Sequence, residues 1–192
     1  MATAASIIQK ADNPITLAPE SIKVRPAVPD DRAAILELHH LSLRTLGRAF
    51  YDATEIEAFL RFAPTLEDYL LADGTYYVAH AGGRLAGCGG WSLRVPEYSA
   101  VTGNALKSAK PLPRVRAMFV HPEFARRGVG RHLMADIERA IWESGHDEIH
   151  IDATLGGVPL YERCGYRRFG ETLAVMPDGS RMRFVCLRKR CR

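Results

Sequence analysis

The run Val115-Arg-Ala-Met-Phe-Val-His-Pro-Glu-Phe-Ala-Arg-Arg-Gly-Val-Gly-Arg-His-Leu133 changes character twice. It begins with Val115, Ala117, Phe119 and Val120, the apolar, β-branched and aromatic residues that favour a buried strand. Pro122 ends that strand, because it has no N–H to give to a ladder. Two arginines, a glycine, one apolar residue and a second glycine follow. Beyond them Val129, Leu133, Ile137 and Ile141 recur at every fourth position and mark one face of an amphipathic helix. A strand therefore enters a basic, glycine-containing turn that opens a helix. This arrangement offers backbone N–H groups and the positive end of a helix dipole to a phosphate.

Two phosphate loops are excluded by the residues that follow. A Walker loop needs Lys and then Ser/Thr after its last glycine, but Arg131 and His132 follow Gly130. The dinucleotide fingerprint needs a third glycine where Leu133 stands. What remains resembles motif A of the GNAT superfamily, the acyl-CoA-dependent N-acyltransferases. In that motif a strand ending Val-x-Pro leads to Gln/Arg-x-x-Gly-x-Gly/Ala, whose amides hold the pyrophosphate of coenzyme A. Val120-His-Pro122 and Arg127-Gly-Val-Gly130 match, whereas Ala125 stands at the Gln/Arg position. Arg126 or Arg127 could supply the missing charge. The resemblance thus implies a coenzyme site made by Met118, Phe119 and Val120 of the strand and by Arg126, Arg127, Gly128, Val129, Gly130 and Arg131 of the turn.

A second constellation, Thr154-Leu-Gly-Gly-Val-Pro-Leu-Tyr-Glu-Arg-Cys-Gly-Tyr166, is similar to motif B of the same family. Tyr161 falls on the tyrosine that faces the acyl-CoA sulfur, and Gly165-Tyr166 on the Gly-aromatic pair that starts the next strand. Thr154 stands where the family often has Asn.

Along the rest of the chain, Ile22-Lys-Val-Arg25 reads as a short strand stopped by Pro26, and residues 1 to 21 as a loosely attached extension. Asp30 or Asp31 caps a helix bearing Ile35, Leu38, Leu41 and Leu43. A second helix is expected over Ala53 to Phe62, and a third short one after Pro64. Thr75 to Ala81 and Arg84 to Val95 form a hairpin across Gly82-Gly83, with Gly87, Gly89 and Gly90 implying a bulge or a close neighbour. Residues 96 to 113 make a long irregular connection. Glu148 to Ala153 is a strand, Val158 to Cys164 a helix, and Arg167 to Met176 with Arg181 to Arg188 a closing hairpin. This order is mixed α/β. It matches the GNAT order from residue 22 onward as one domain, 22–192. The fold implied is a mixed, mostly antiparallel central sheet flanked by helices, with the acyl-CoA cleft beside the central strand.

Composition narrows the rest. Hydrophobic residues at 47%, charged residues at 25% and a net charge of +4 are those of an ordinary globular domain with a mild preference for anions. Cys88, Cys164, Cys186 and Cys191 show no metal spacing, so the expectation is reduced thiols, no metal and a cytoplasmic protein. No apolar run is long enough to span a bilayer. The basic C-terminal run Arg188 to Arg192 reads as a solubilising tail rather than a nucleic-acid element. The resemblance leaves monomer and homodimer open.

The activity implied is direct transfer of an acetyl group from acetyl-CoA, as cosubstrate, to a primary amine through a tetrahedral intermediate. Strand amides around Phe119 and Val120 would polarise the thioester carbonyl, and Tyr161 would hydrogen-bond to the departing sulfur. An ordinary tyrosine (pKa ~10) gives a full proton to an ordinary thiolate (~8.5) at a cost of about 2 kcal/mol, so a strong hydrogen bond is expected instead. His121, Glu97, Asp152 and Glu171 are comparable candidates for the base, which stays unassigned. Phe50, Tyr51, Asp52, Glu55, Trp91 and Tyr98 are placed on the acceptor side, where they suit a small cationic amine or a peptide amino group. A non-catalytic acyl-CoA sensor and a basic nucleic-acid-binding regulator are the competing classes.

Overall fold

Alternating and continuous apolar runs become seven strands of one sheet, in the spatial order β1-β2-β3-β4-β5-β7-β6. The computed structural model describes residues 21–94 and 111–191. The strands are β1 (Lys23–Pro26), β2 (Tyr76–Ala81), β3 (Arg84–Ser92), β4 (Arg114–Val120), β5 (Glu148–Thr154), β6 (Arg167–Val175) and β7 (Arg181–Arg190). Every pairing is antiparallel except β4 with β5. The expected mixed, mostly antiparallel sheet is therefore the one observed. Most of the extension read at residues 1 to 21 and most of the connection at 96 to 113 lie outside the described residues.

The helices are α1 (Arg32–Leu46), α2 (Ala53–Phe62), α3 (Asp68–Ala72), α4 (Val129–Glu143) and α5 (Val158–Arg163). On one side of the sheet α4 buries Val129, Leu133, Ile137 and Ile141, the four residues that marked its face, against Ala86, Ile149 and Ile151. Full burial of such a side chain is worth roughly 1.5–3 kcal/mol. On the other side α1 and α2 cover Phe119, Met182 and Phe184 through Leu43, Ile56 and Phe59.

Three local readings change. Pro26 belongs to β1, opposite Tyr77; as the sheet's edge strand, β1 tolerates a residue without N–H. Leu41 is exposed. The helical face that α1 buries is Ile35, Leu38, His39, Ser42 and Leu43, so a histidine and a serine sit where an apolar stripe was expected. The basic C-terminus is not a free tail through Arg190. β7 continues to that residue, with Lys189 bonded to Glu138 at 2.6 Å and Arg190 to Glu148 at 2.7 Å. Both carboxylates lie far back in the sequence, which is why composition alone misread the run.

The glycines of β3 serve close packing. A Cβ on Gly87 would lie 2.6 Å from Val129 Cγ1, and one on Gly90 would lie 2.6 Å from the Tyr76 ring. The β3–β4 ladder shifts register between Cys88 and Gly90. Opposite that shift Ala117 adopts φ +47°, a conformation that costs a non-glycine residue about 1 kcal/mol or more.

Candidate active site

The parallel pair β4–β5 is joined at one register position, Arg114 opposite His150, with the His150 N–H bonded to Pro113 O at 2.9 Å. Beyond it the two strands part, and the gap between Met118–Val120 and Thr154 opens into a cavity of about 710 Å³. The bulge at Ala117 lies just where the strands separate.

Amide directions follow from the ladder. The His121 N–H bonds Ala86 O on β3 at 2.9 Å, and the Phe119 N–H, two residues earlier and opposite Cys88, faces β3 as well. Successive amides of a strand point to opposite edges, so the N–H groups of Met118 and Val120 face the gap. The sequence had centred this role on Phe119 and Val120. The Phe119 side chain, not its amide, reaches the cavity wall.

After β4 a short turn, Pro122–Phe124, leads to Arg126 at φ +65° and Gly128 at φ +90°. Among the described residues, the N–H groups of Arg126, Gly128, Val129 and Gly130 have no backbone acceptor, whereas those of Arg131 and His132 bond Gly128 O. Four donors thus converge at the start of a fifteen-residue helix, and the helix dipole adds to their field. Gly128 is required for its positive φ. Gly130 is required for contact, because a Cβ there would lie 2.7 Å from Leu160 Cδ2 of α5.

The turn's side chains divide. Arg126 and Arg131 line the cavity, joined by Arg163 from α5, a residue the sequence had not singled out. Arg127 lies outside the lining, its guanidinium 5.9 Å from the Phe124 ring. Val129 gives its side chain to the core and only its amide to the turn.

Tyr161 sits in α5, buried, with its ring edge-on to Tyr166 at 6.1 Å. It lines the large cavity and also a smaller one of about 70 Å³. Met118, Phe119, Thr154 and Leu43 border both. Asp152 is the one carboxylate among the described residues that line these two cavities. It stands 3.5 Å from Arg114.

The other candidate bases lie elsewhere. His121 Nδ1 accepts from the Glu123 N–H at 3.3 Å, and Glu171 sits on exposed β6 about 4.0 Å from Arg183; neither lines either of these two cavities. Glu97 and Tyr98 lie outside the described residues. Of the acceptor-side residues, Asp52 and Glu55 form the capping box of α2, and Trp91 packs with the α4-side core. Phe50 and Tyr51 do line the large cavity. The Tyr51 hydroxyl donates to Arg183 O at 2.6 Å and accepts from the Leu155 N–H at 2.8 Å. It fastens the segment after α1 to β7 and to the loop preceding α5. Burial pushes its pKa up to about 12, so it stays a neutral donor.

The site thus combines a splayed parallel pair, a helix start with open amides and a tyrosine across the gap. Residues 72–168, half of the chain, match the acetyltransferase (GNAT) domain family. The chain belongs to the GNAT acetyltransferases and is an acyltransferase. No curated protein sequence matches it. Solved structures of the same fold include a GCN5-related N-acetyltransferase from Rhodopseudomonas palustris, with 19% identity and a TM-score of 0.70 over 90% of this chain and 98% of that one. The PaiA N-acetyltransferase from Thermoplasma acidophilum, in complex with coenzyme A, has 17% identity and a TM-score of 0.62 over 89% and 99%. The polyamine N-acetyltransferase of Drosophila melanogaster, which forms N-acetylagmatine, has 17% identity and a TM-score of 0.59 over 89% and 100%. At these identities the likeness is one of fold.

Proposed function

We propose that the protein transfers an acetyl group from acetyl-CoA directly to a primary amine. The observation that carries this reading is the position of Tyr161, at the junction of the two cavities and across the gap from β4. The pyrophosphate would rest on the amides of Arg126, Gly128, Val129 and Gly130, with Arg126, Arg131 and Arg163 neutralising the phosphates. The pantetheine arm would then run along β4, taking the Val120 N–H, and bring the thioester carbonyl to the Met118 N–H. Support comes from the fold relative that holds coenzyme A.

The acceptor enters from the smaller cavity. There Asp152 takes a proton from the ammonium, directly or through water, leaving a neutral amine. The amine nitrogen attacks the thioester carbon, and the Met118 amide stabilises the oxygen as it gains negative charge. When the C–S bond breaks, the Tyr161 hydroxyl hydrogen-bonds to the thiolate, and the amine's second proton passes through solvent to give free CoA thiol. The Cys88 and Cys186 thiols are pushed up to about 12, mainly by burial, so neither serves as a nucleophile.

The test is thiol release from acetyl-CoA across a panel of aryl- and alkylamines, polyamines and peptides. Amine-dependent release with a matching N-acetyl product is expected. Binding of acetyl-CoA with no turnover on any amine would refute the enzyme reading in favour of a sensor.

A further inference from the structure

Behind β4, on the side away from the amide cradle, lies a buried polar chain that none of the steps above uses. Tyr76 of β2 reaches past β3, and its hydroxyl donates to Ala117 O at 2.6 Å. His39 of α1 meets the same hydroxyl through Nε2 at 2.9 Å. Both side chains are fully buried, and the Cys88 thiol also touches Tyr76. The hydroxyl's single proton goes to Ala117 O, so His39 must present Nε2–H to the tyrosine oxygen. Nδ1 then carries the lone pair, and it has no partner among the described residues. Burial depresses the His39 pKa to about 3, which keeps the ring neutral with one N–H. The ring also stacks on Phe119, with centroids 4.2 Å apart.

The acceptor of this chain is the carbonyl of Ala117, the residue at φ +47°. A trans peptide is planar, with its C=O and N–H pointing in opposite directions. The partner of the Ala117 C=O is the N–H of Met118. Fixing the carbonyl toward Tyr76 therefore aims the Met118 N–H the other way, into the gap between β4 and β5.

We infer that Tyr76, oriented by His39, is a positioning residue that aims the Met118 amide at the thioester carbonyl. The strained conformation of Ala117 has an outside clamp. The absence of a side chain at Gly90 lets the tyrosine ring lie close enough to apply it, since a Cβ there would stand 2.6 Å from Tyr76 Cδ2. An apolar residue at either position would leave the peptide plane free to rotate toward an ordinary ladder geometry, and the donor would leave the carbonyl. Only the aim of Met118 rests on the acetyl-transfer reading.

The experiment uses the carbonyl stretch of bound [13C]acetyl-CoA, read by infrared difference spectroscopy, together with steady-state kinetics on the best amine. In the wild type the thioester stretch moves to lower frequency on binding, because a donor polarises it. Tyr76→Phe keeps the ring and removes the clamp. Its bound stretch is expected to return most of the way to the free value. Its kcat should fall roughly 10- to 100-fold, somewhat less than the 10²–10³ lost when an oxyanion donor is deleted. The Kd for acetyl-CoA should stay within about twofold, because the pyrophosphate cradle is untouched. His39→Leu should behave like Tyr76→Phe, while His39→Gln, which keeps a donor, should restore most of the shift. This pair carries the test if Tyr76→Phe does not fold. A purely structural role predicts lower melting temperatures with an unchanged stretch and kcat, and that result would overturn the inference. A wild type that shifts the carbonyl but acetylates no amine would refute the function proposed above, and loss of that shift in Tyr76→Phe would still uphold the clamp.

Discussion

The neutrality of His39 sets a measurable dependence of stability on pH. A free histidine titrates near 6.5, and in the fold burial lowers that to about 3, helped by the neighbouring His40. Above pH 6.5 the ring is neutral in both states and costs nothing. As the pH falls below 6.5 the unfolded chain takes up a proton that the native chain refuses, so stability is lost until about pH 3, where both are protonated. From these two values the loss is about 2 kcal/mol at pH 5 and about 3 kcal/mol at pH 4. That is a large fraction of the 5–15 kcal/mol that holds a typical domain together. His39→Gln keeps a hydrogen-bond donor for Tyr76 and cannot titrate. Urea unfolding of both proteins at pH 7.5, 6 and 5 gives the comparison. The wild type should lose about 2 kcal/mol more than the variant between pH 7.5 and 5. Carboxylates whose pKa values are held down, such as Asp31 by Arg25 and Glu148 by His150, also lose stabilisation in acid. They do so equally in both proteins and cancel. Parallel losses in the two proteins would refute the buried neutral ring.

Three further outcomes are expected. Tyr161→Phe should lower kcat roughly 10²- to 10⁴-fold with acetyl-CoA affinity almost unchanged, since its hydrogen bond strengthens only as charge builds on sulfur; retention of half the wild-type kcat at saturating substrates would remove it from the mechanism. Gly128→Val places a branched side chain at φ +90°, beside the cradle amides. Calorimetry should show acetyl-CoA affinity reduced at least about tenfold in a variant that still folds, and wild-type affinity there would move the coenzyme elsewhere. Replacing Cys88, Cys164, Cys186 and Cys191 together by Ala or Ser should preserve acetyl transfer at temperatures where the protein stays folded, because burial raises the first three thiols. An acyl-enzyme trapped on one of them and seen by mass spectrometry would replace direct transfer with a covalent route.

The sequence by itself determined what depends on neighbours along the chain. The fourfold spacing of Val129, Leu133, Ile137 and Ile141, the proline after β4 and the paired glycines of the β2–β3 hairpin each act within a few residues. Helices and turns are local, so these segments were legible at once. The turn before α4 and the short helix of Tyr161 were readable for the same reason, and their resemblance to family motifs supplied the mixed, mostly antiparallel kind of sheet. Contacts between distant segments were decided only by the tertiary structure. The basic run ending at Arg190 looks like a solvated tail until β5 and α4 bring Glu148 and Glu138 beside it. His39 looks like one polar residue on a helix until Tyr76 and Ala117 meet it inside the core. Likewise, nothing in the spacing of Met118, Phe119 and Val120 says which amides face the gap. That depends on where β3 takes its hydrogen bonds and on where β5 leaves off, at Arg114 opposite His150. A strand's amides alternate by geometry, but only its neighbours in the sheet select which half of them stays open for chemistry.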